Sequence, residues 1–220
     1  MNKKMSELME KRIGQGREYR RMAVPMEARA GGDNERTVEG YATTFGQPYV
    51  LMRDNGITIR EQVAPGAFEG CDMGDVIMQY DHEGRVFARM SNGTLRCEPD
   101  EHGLHVTADL SGTELGRQVY SEIKGGYSDK MSFGFIVDED ERKVTEDHET
   151  GNVDFLRTIT KIRKLFDVSV VSIPANDATE ITARGADGGV TGWALQEVQA
   201  LRERRRKEKI LSLKLKLMED

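Results

Sequence analysis

The chain is predicted to be an α+β protein, mainly β: a small closed or nearly closed β-barrel with flanking helices. Three observations predict it. Short runs of alternating apolar and polar residues, rich in β-branched and aromatic side chains, recur through the middle of the chain. Glycine, proline, asparagine and aspartate break these runs at short intervals. Only one internal segment shows a clear helical period. Many short strands with frequent turns favour a barrel, and 220 residues are enough for a single core.

Residues 1–30 are polar and rich in Met and Arg, and Ala30-Gly31-Gly32-Asp33-Asn34 breaks any helix. This reads as a mobile or weakly helical leader ending at 36. Strand alternation begins at Val38-Glu39-Gly40-Tyr41-Ala42-Thr43-Thr44-Phe45-Gly46 and returns at Ile57–Val63, before the sharp turn Ala64-Pro65-Gly66. Asp75–Tyr80 is a third strand, and His82 follows it. Arg85–Arg89 and Thr94–Glu98 are expected to form a hairpin across Ser91-Asn92-Gly93, because Asn-Gly suits tight hairpin turns. Gly103–Leu110 is another strand.

The period then changes. Leu115, Val119 and Ile123 recur every four residues, so 113–124 is an amphipathic helix with Ser111 or Thr113 as its cap and Gly125-Gly126 as its stop. Ser132–Val137 is a strand, and the acidic stretch 138–154 reads as a long hairpin tip or loop. Phe155–Lys164 alternates and Leu165–Ile173 follows, stopped by Pro174-Ala175-Asn176. Glycines at 185–192 form a hinge, and Trp193–Met218 is a basic helix with Leu and Ile at irregular spacing. Three regions are therefore expected: a leader at 1–36, a domain at 37–184, and a hinge with a basic helix at 185–220.

Charge is uneven along the chain. Residues 1–22 and 201–220 each carry a net charge of +4, and with −6 overall the body 23–200 holds −14. Basic ends on an acidic body fit tails that touch an acidic partner or the body itself, whereas direct nucleic-acid binding is not expected of so acidic a body. Cys71 and Cys97 are too few for a disulfide framework, which fits a reducing compartment. There is no run of eighteen apolar residues, and the basic N-terminus has no apolar h-region, so neither a membrane span nor a secretory signal is expected.

Candidates for chemistry are scarce: four histidines, two cysteines and no metal-ligand cluster. His102 and His105 lie beside Asp100 and Glu101, yet one falls in a turn and the other on a strand, so no metal site and no cofactor are expected. His148 lies in the acidic stretch and reads as inert. Tyr80-Asp81-His82-Glu83-Gly84 closes one apolar run, and Lys130-Met131-Ser132-Phe133-Gly134-Phe135 opens another. A serine hydroxyl needs a neighbouring general base to become nucleophilic, and a neutral imidazole serves best near pH 7. On composition, Ser128, Ser169 and Ser172 compete equally with Ser132.

Four blocks in order resemble the prohead (head maturation) proteases of tailed bacteriophages, serine proteases distantly related to the herpesvirus assemblins. They are Val38-Glu39-Gly40-Tyr41-Ala42 with Phe45; Val63-Ala64-Pro65-Gly66-Ala67-Phe68; Tyr80-Asp81-His82 with Gly103-Leu104; and Met131-Ser132-Phe133-Gly134-Phe135 with Asp167-Val168-Ser169-Val170-Val171 and Pro174-Ala175-Asn176. The match spans about residues 37–184, and it is the ordered set that is specific. The resemblance implies a herpesvirus-protease-like fold, His82 as general base, Ser132 as nucleophile and Asp167 as the third member. The family often has glutamate at that third position. Asp81 is the alternative orienter, although neighbours on a strand face opposite ways. The expected substrates are the scaffold part of capsid subunits and the protease itself, inside the assembling prohead in the host cytoplasm. Self-association would also be in keeping with the family. The alternative is a non-catalytic β-barrel assembly factor that binds scaffold. Main-chain groups near Gly134 or Gly126, or the Arg163 side chain, are the candidate oxyanion donors.

Overall fold

The computed structural model describes residues 11–12, 14–30, 36–171 and 189–219. Along the chain run β1 (Glu18–Pro25), β2 (Glu27–Ala30), β3 (Arg36–Thr44), β4 (Tyr49–Asp54), β5 (Ile57–Val63), β6 (Ile77–Tyr80), β7 (Glu83–Arg89), β8 (Leu95–Pro99) and β9 (Gly103–Asp109). Helix α1 (Glu114–Lys124), β10 (Lys130–Glu146), β11 (Val153–Val171) and helix α2 (Gly189–Glu219) complete the fold. It is mainly β, as the alternation predicts.

The strands form two sheets. One has seven strands, ordered β1-β10-β11-β5-β4, with β6 also on β11 and β7 on β6. The other is ordered β2-β3-β9-β8. Among the described residues neither sheet closes on itself, so the closed barrel gives way to two sheets. The reason lies in β11: it pairs in parallel with β5 along its first half and with β6 along its second, so one long strand carries two partners instead of completing a ring.

Apolar side chains from both sheets meet in the main core, which includes Val38, Val63, Met78, Leu104, Phe133, Phe135 and Val168. Helix α1 closes it with Val119, Tyr120 and Ile123, and its Thr113 cap accepts the Gly116 N–H as the sequence predicts. A second cluster seats α2: Val190, Ala194 and Val198 pack on Leu51, Ile59 and Phe155. Beyond this cluster Arg202, Arg204, Arg206, Lys207, Lys209 and Lys214 are exposed, whereas half-buried Arg205 pairs with Glu146. No helix among the described residues is long and apolar enough to cross a membrane.

Several local expectations change. The stretch 18–30, read as part of a leader, supplies β1 and β2. Within this segment Arg20 goes inward, because buried Glu61 meets it at 2.5 Å. The hairpin expected across Asn92-Gly93 does not form: β7 pairs with β6 and β8 with β9, and a short 3-10 turn carries the chain between sheets. Tight Asn-Gly chemistry operates at Asn55-Gly56 instead, where φ of 45° and 75° joins β4 to β5. The acidic stretch does not begin with a loop. β10 continues to Glu146, paired with β11, because facing charges such as Arg157 with Asp140 and Lys161 with Glu139 hold the two together. Residues 1–10, Gly31-Gly32-Asp33-Asn34, Ser172, Pro174-Ala175-Asn176 and 185–188 of the hinge lie outside the described residues.

Candidate active site

His82 arrives on a tight hairpin. β6 and β7 pair with Tyr80 opposite Glu83, leaving Asp81 and His82 as a two-residue turn, with φ of 48° and 63°. Positive φ at both central residues is the type I′ pattern; glycine, asparagine and aspartate favour it, and histidine is among the other residues enriched at positive φ. The Asp81 N–H donates to Val170 O at 2.9 Å, so the turn is tied to β11, the strand that carries Asp167. Ser132 comes from β10, where it pairs with Ser169 of β11, and Gly134 pairs with Asp167. Period-two alternation puts Asp167 and Ser169 on one face of β11.

The three sequence-predicted residues meet there. His82 Nε2 lies 2.6 Å from Ser132 Oγ, and Nδ1 lies 2.5 Å from Asp167 Oδ1. Facing a carboxylate, Nδ1 holds the ring proton, which leaves Nε2 as the acceptor. Burial lowers the His82 pKa to about 3, helped by the positive charges of Arg17, Arg21 and Arg12. The imidazole is therefore neutral at pH 7, the form that can receive a proton. Asp167, not Asp81, is the carboxylate on Nδ1.

Other groups complete the site. Arg17 Nη2 donates to Asp167 Oδ2, and the Ser169 hydroxyl donates to Oδ1 at 2.9 Å. Ser169 is thus a partner of the carboxylate, while Ser128 pairs with the Tyr80 hydroxyl at 3.0 Å. The Tyr19 ring meets the His82 ring edge-on with centroids 4.5 Å apart, and Arg12 Nη1 donates to His82 O at 3.0 Å. The Ser132 hydroxyl also lies 2.9 Å from Arg20 O. Sequence reading missed Arg17, Tyr19 and Arg20. The segment from Glu18 to Val24 shows no sustained alternation, two adjacent arginines being followed by Met22-Ala23-Val24, so nothing local marks these residues.

Gly134 is there for close approach. A Cβ at this position would lie 2.6 Å from Asp167 Oδ2 and 2.9 Å from Arg17 Nη2, so only glycine leaves the carboxylate and its cation their room. The proposed oxyanion donors fare less well. Gly126 N–H is spent on Ile123 O, and Gly134 is flanked by ladders on both sides. Arg163 is exposed on β11, beside the bulge near Ile136 and Val137, roughly 15 Å along the strand from Ser132.

The other histidines lie elsewhere. His102 and His105 flank the Tyr41 ring at 4.5 and 5.1 Å, and His148 Nδ1 lies 3.0 Å from Arg205 Nη1. Both cysteines are free thiols, Cys97 buried and Cys71 half-buried.

A family model described as caudovirus prohead serine protease matches residues 23–189, most of the chain. No curated protein and no solved structure matches it.

Proposed function

Because the chain belongs to the caudovirus prohead serine protease family, we propose that it is a capsid maturation endopeptidase in which Ser132 is the nucleophile, His82 the general base and Asp167 the orienting carboxylate. The observation that carries these roles is the unbroken line from Asp167 Oδ1 through both ring nitrogens of His82 to Ser132 Oγ, in steps of 2.5 and 2.6 Å. Ser132 Oγ attacks a peptide carbonyl carbon while His82 Nε2 takes the hydroxyl proton. The imidazolium that forms is held by Asp167 at Nδ1 and returns the proton to the leaving amine. Water then repeats the sequence on the acyl-enzyme. The substrates are the scaffold part of capsid subunits and this chain itself, within the assembling prohead in the host cytoplasm. The catalytic unit begins ahead of residue 37, since β1 and β2 belong to its sheets, and the basic helix α2 docks on it through Val190, Ala194 and Val198.

One observation favours the second reading, a non-catalytic scaffold-binding factor: Ser132 is fully buried. Co-expression of Ser132→Ala with capsid precursor separates the two. The expected result is intact precursor and an untrimmed protease chain with unchanged melting. Continued processing by this variant would remove Ser132 from the reaction.

A further inference from the structure

The approach to Ser132 is already filled by a peptide backbone. Ser132 has no exposed surface, and the carbonyl lying on its hydroxyl is that of Arg20. Arg20 belongs to β1, the edge strand of its sheet, which pairs antiparallel to β10 with Arg21 opposite Ser132 and Arg20 opposite Phe133. A peptide recognised by strand addition would take this same place. By alternation the Arg20 side chain leaves the face of Ser132 and enters a closed pocket. There Glu61 accepts from its Nε and Nη2 at 2.5 and 2.9 Å, and the Phe135 ring centroid lies 5.6 Å from the guanidinium carbon.

We propose that the edge of β10 from Met131 to Phe135, with the Glu61 pocket beside it, binds an extended peptide carrying a basic residue, and that β1 occupies this site as an internal stand-in until such a peptide displaces it. The proposal rests on the serine protease reading of Ser132 and adds its substrate class.

Three further observations support it. The single hydroxyl proton of Ser132 has two acceptors, His82 Nε2 at 2.6 Å and Arg20 O at 2.9 Å, so β1 competes with the base while it stays. Buried polar atoms without a partner include Arg17 Nε and the Tyr19 hydroxyl, so the segment leading into β1 is incompletely satisfied where it lies. Glu18 of β1, which holds Arg20 and Arg157, leaves together with Arg20. The remaining charges stay compensated: Glu61 retains Arg157 at 2.8 Å and the Tyr49 hydroxyl at 2.6 Å, and Arg157 retains Asp140 at 2.8 Å. An incoming guanidinium then restores the two-point grip on Glu61. That geometry favours arginine over lysine, and both over apolar residues.

The test uses two peptidyl diphenyl phosphonates, identical except that the residue at phosphorus is an arginine analogue in one and norleucine in the other. Ser132 Oγ bonds to phosphorus and phenol leaves with the proton. In the full-length protein the arginine probe is expected to label Ser132 at least tenfold faster. Hydrogen exchange on the labelled protein is expected to show lost protection at 19–22 with β9 unchanged. Arg20→Met, checked for folding by melting, is expected to react at least tenfold faster than the parent and to keep the preference. Equal rates for the two probes, β1 still protected after labelling, or an Arg20→Met protein no faster than the parent would each overturn the proposal. The exchange experiment needs no variant, so it decides even where Arg20→Met fails to fold. If neither probe labels Ser132 in either protein, the protease reading falls first and this inference with it.

Discussion

His82 occupies a backbone position that most side chains avoid, and its surroundings keep it uncharged. Burial leads the lowering of its pKa to about 3, with Arg17, Arg21 and Arg12 adding to it. The consequence for stability has a definite sign. The unfolded chain takes up a proton at this imidazole near pH 6.5 and the folded chain refuses it until about pH 3, so stability falls as pH drops through that window. The slope from this one group is up to about 1.4 kcal/mol per pH unit. Urea unfolding at pH 7 and pH 5 is expected to show a smaller difference in His82→Gln than in the parent; an equal difference would mean that the ring is protonated in the fold. Asp167→Asn is expected to lower kcat/KM by about 10⁴-fold, because an amide can stabilise the wrong imidazole tautomer. His82→Ala is expected to match Ser132→Ala in severity, because in the proposed mechanism base and nucleophile work as one unit. Near-normal turnover by Asp167→Asn would move the third role elsewhere. Gly134→Ala pushes a methyl group into the Asp167–Arg17 pair and is expected to cost about 1–3 kcal/mol in urea unfolding and to slow catalysis.

At the scale of elements, β10 and β11 do most to build the site. β10 presents Ser132 and leaves room at Gly134, β11 presents Asp167 and Ser169 on one face, and the β6–β7 turn lowers His82 onto both. Alternation in the sequence identified these strands but not their lengths, because charged residues from Asp138 to Glu146 read as loop until their partners across the hairpin are known. Helix α2 is seated by the apolar residues of its first turns, and Arg205 further along reaches Glu146 at 2.8 Å. Ala194 is fully buried on Ile59 and Phe155, while Trp193 packs edge-on against Phe155 and under the Arg142 guanidinium at 3.7 Å. Ala194→Lys forces a charge into this contact, at a cost of about 2 kcal/mol or more. The expected outcome is loss of exchange protection at 190–198 with Ser132 labelling unchanged. A helix that stays protected would show that its docking does not rest on this cluster.

Over the whole molecule, one buried carboxylate ties four strands together. Glu61 of β5 receives Arg20 of β1, Tyr49 of β4 and Arg157 of β11, and Arg157 also reaches Glu18 and Asp140. Removing that charge alone leaves two buried guanidiniums short of compensation, so Glu61→Gln is expected to cost about 3–5 kcal/mol, read as a drop in the urea midpoint. A loss below about 1 kcal/mol would mean that water or Asp140 replaces Glu61. None of this network is visible along the chain, where its members are scattered among dozens of solvated charges. Local order was legible: most of the strands, α1 with its Thr113 cap, the basic C-terminal helix, and the ordered blocks that marked His82, Ser132 and Asp167 by resemblance. Those features depend on near neighbours, whose periodicity and turn chemistry are written residue by residue. Folding in space settled the rest: two sheets in place of a ring, β1 laid over Ser132, Arg17 on Asp167 and Arg20 on Glu61. Such meetings follow from which strand lies beside which and in what register, and an alternating pattern states which face a side chain takes but not what waits opposite it.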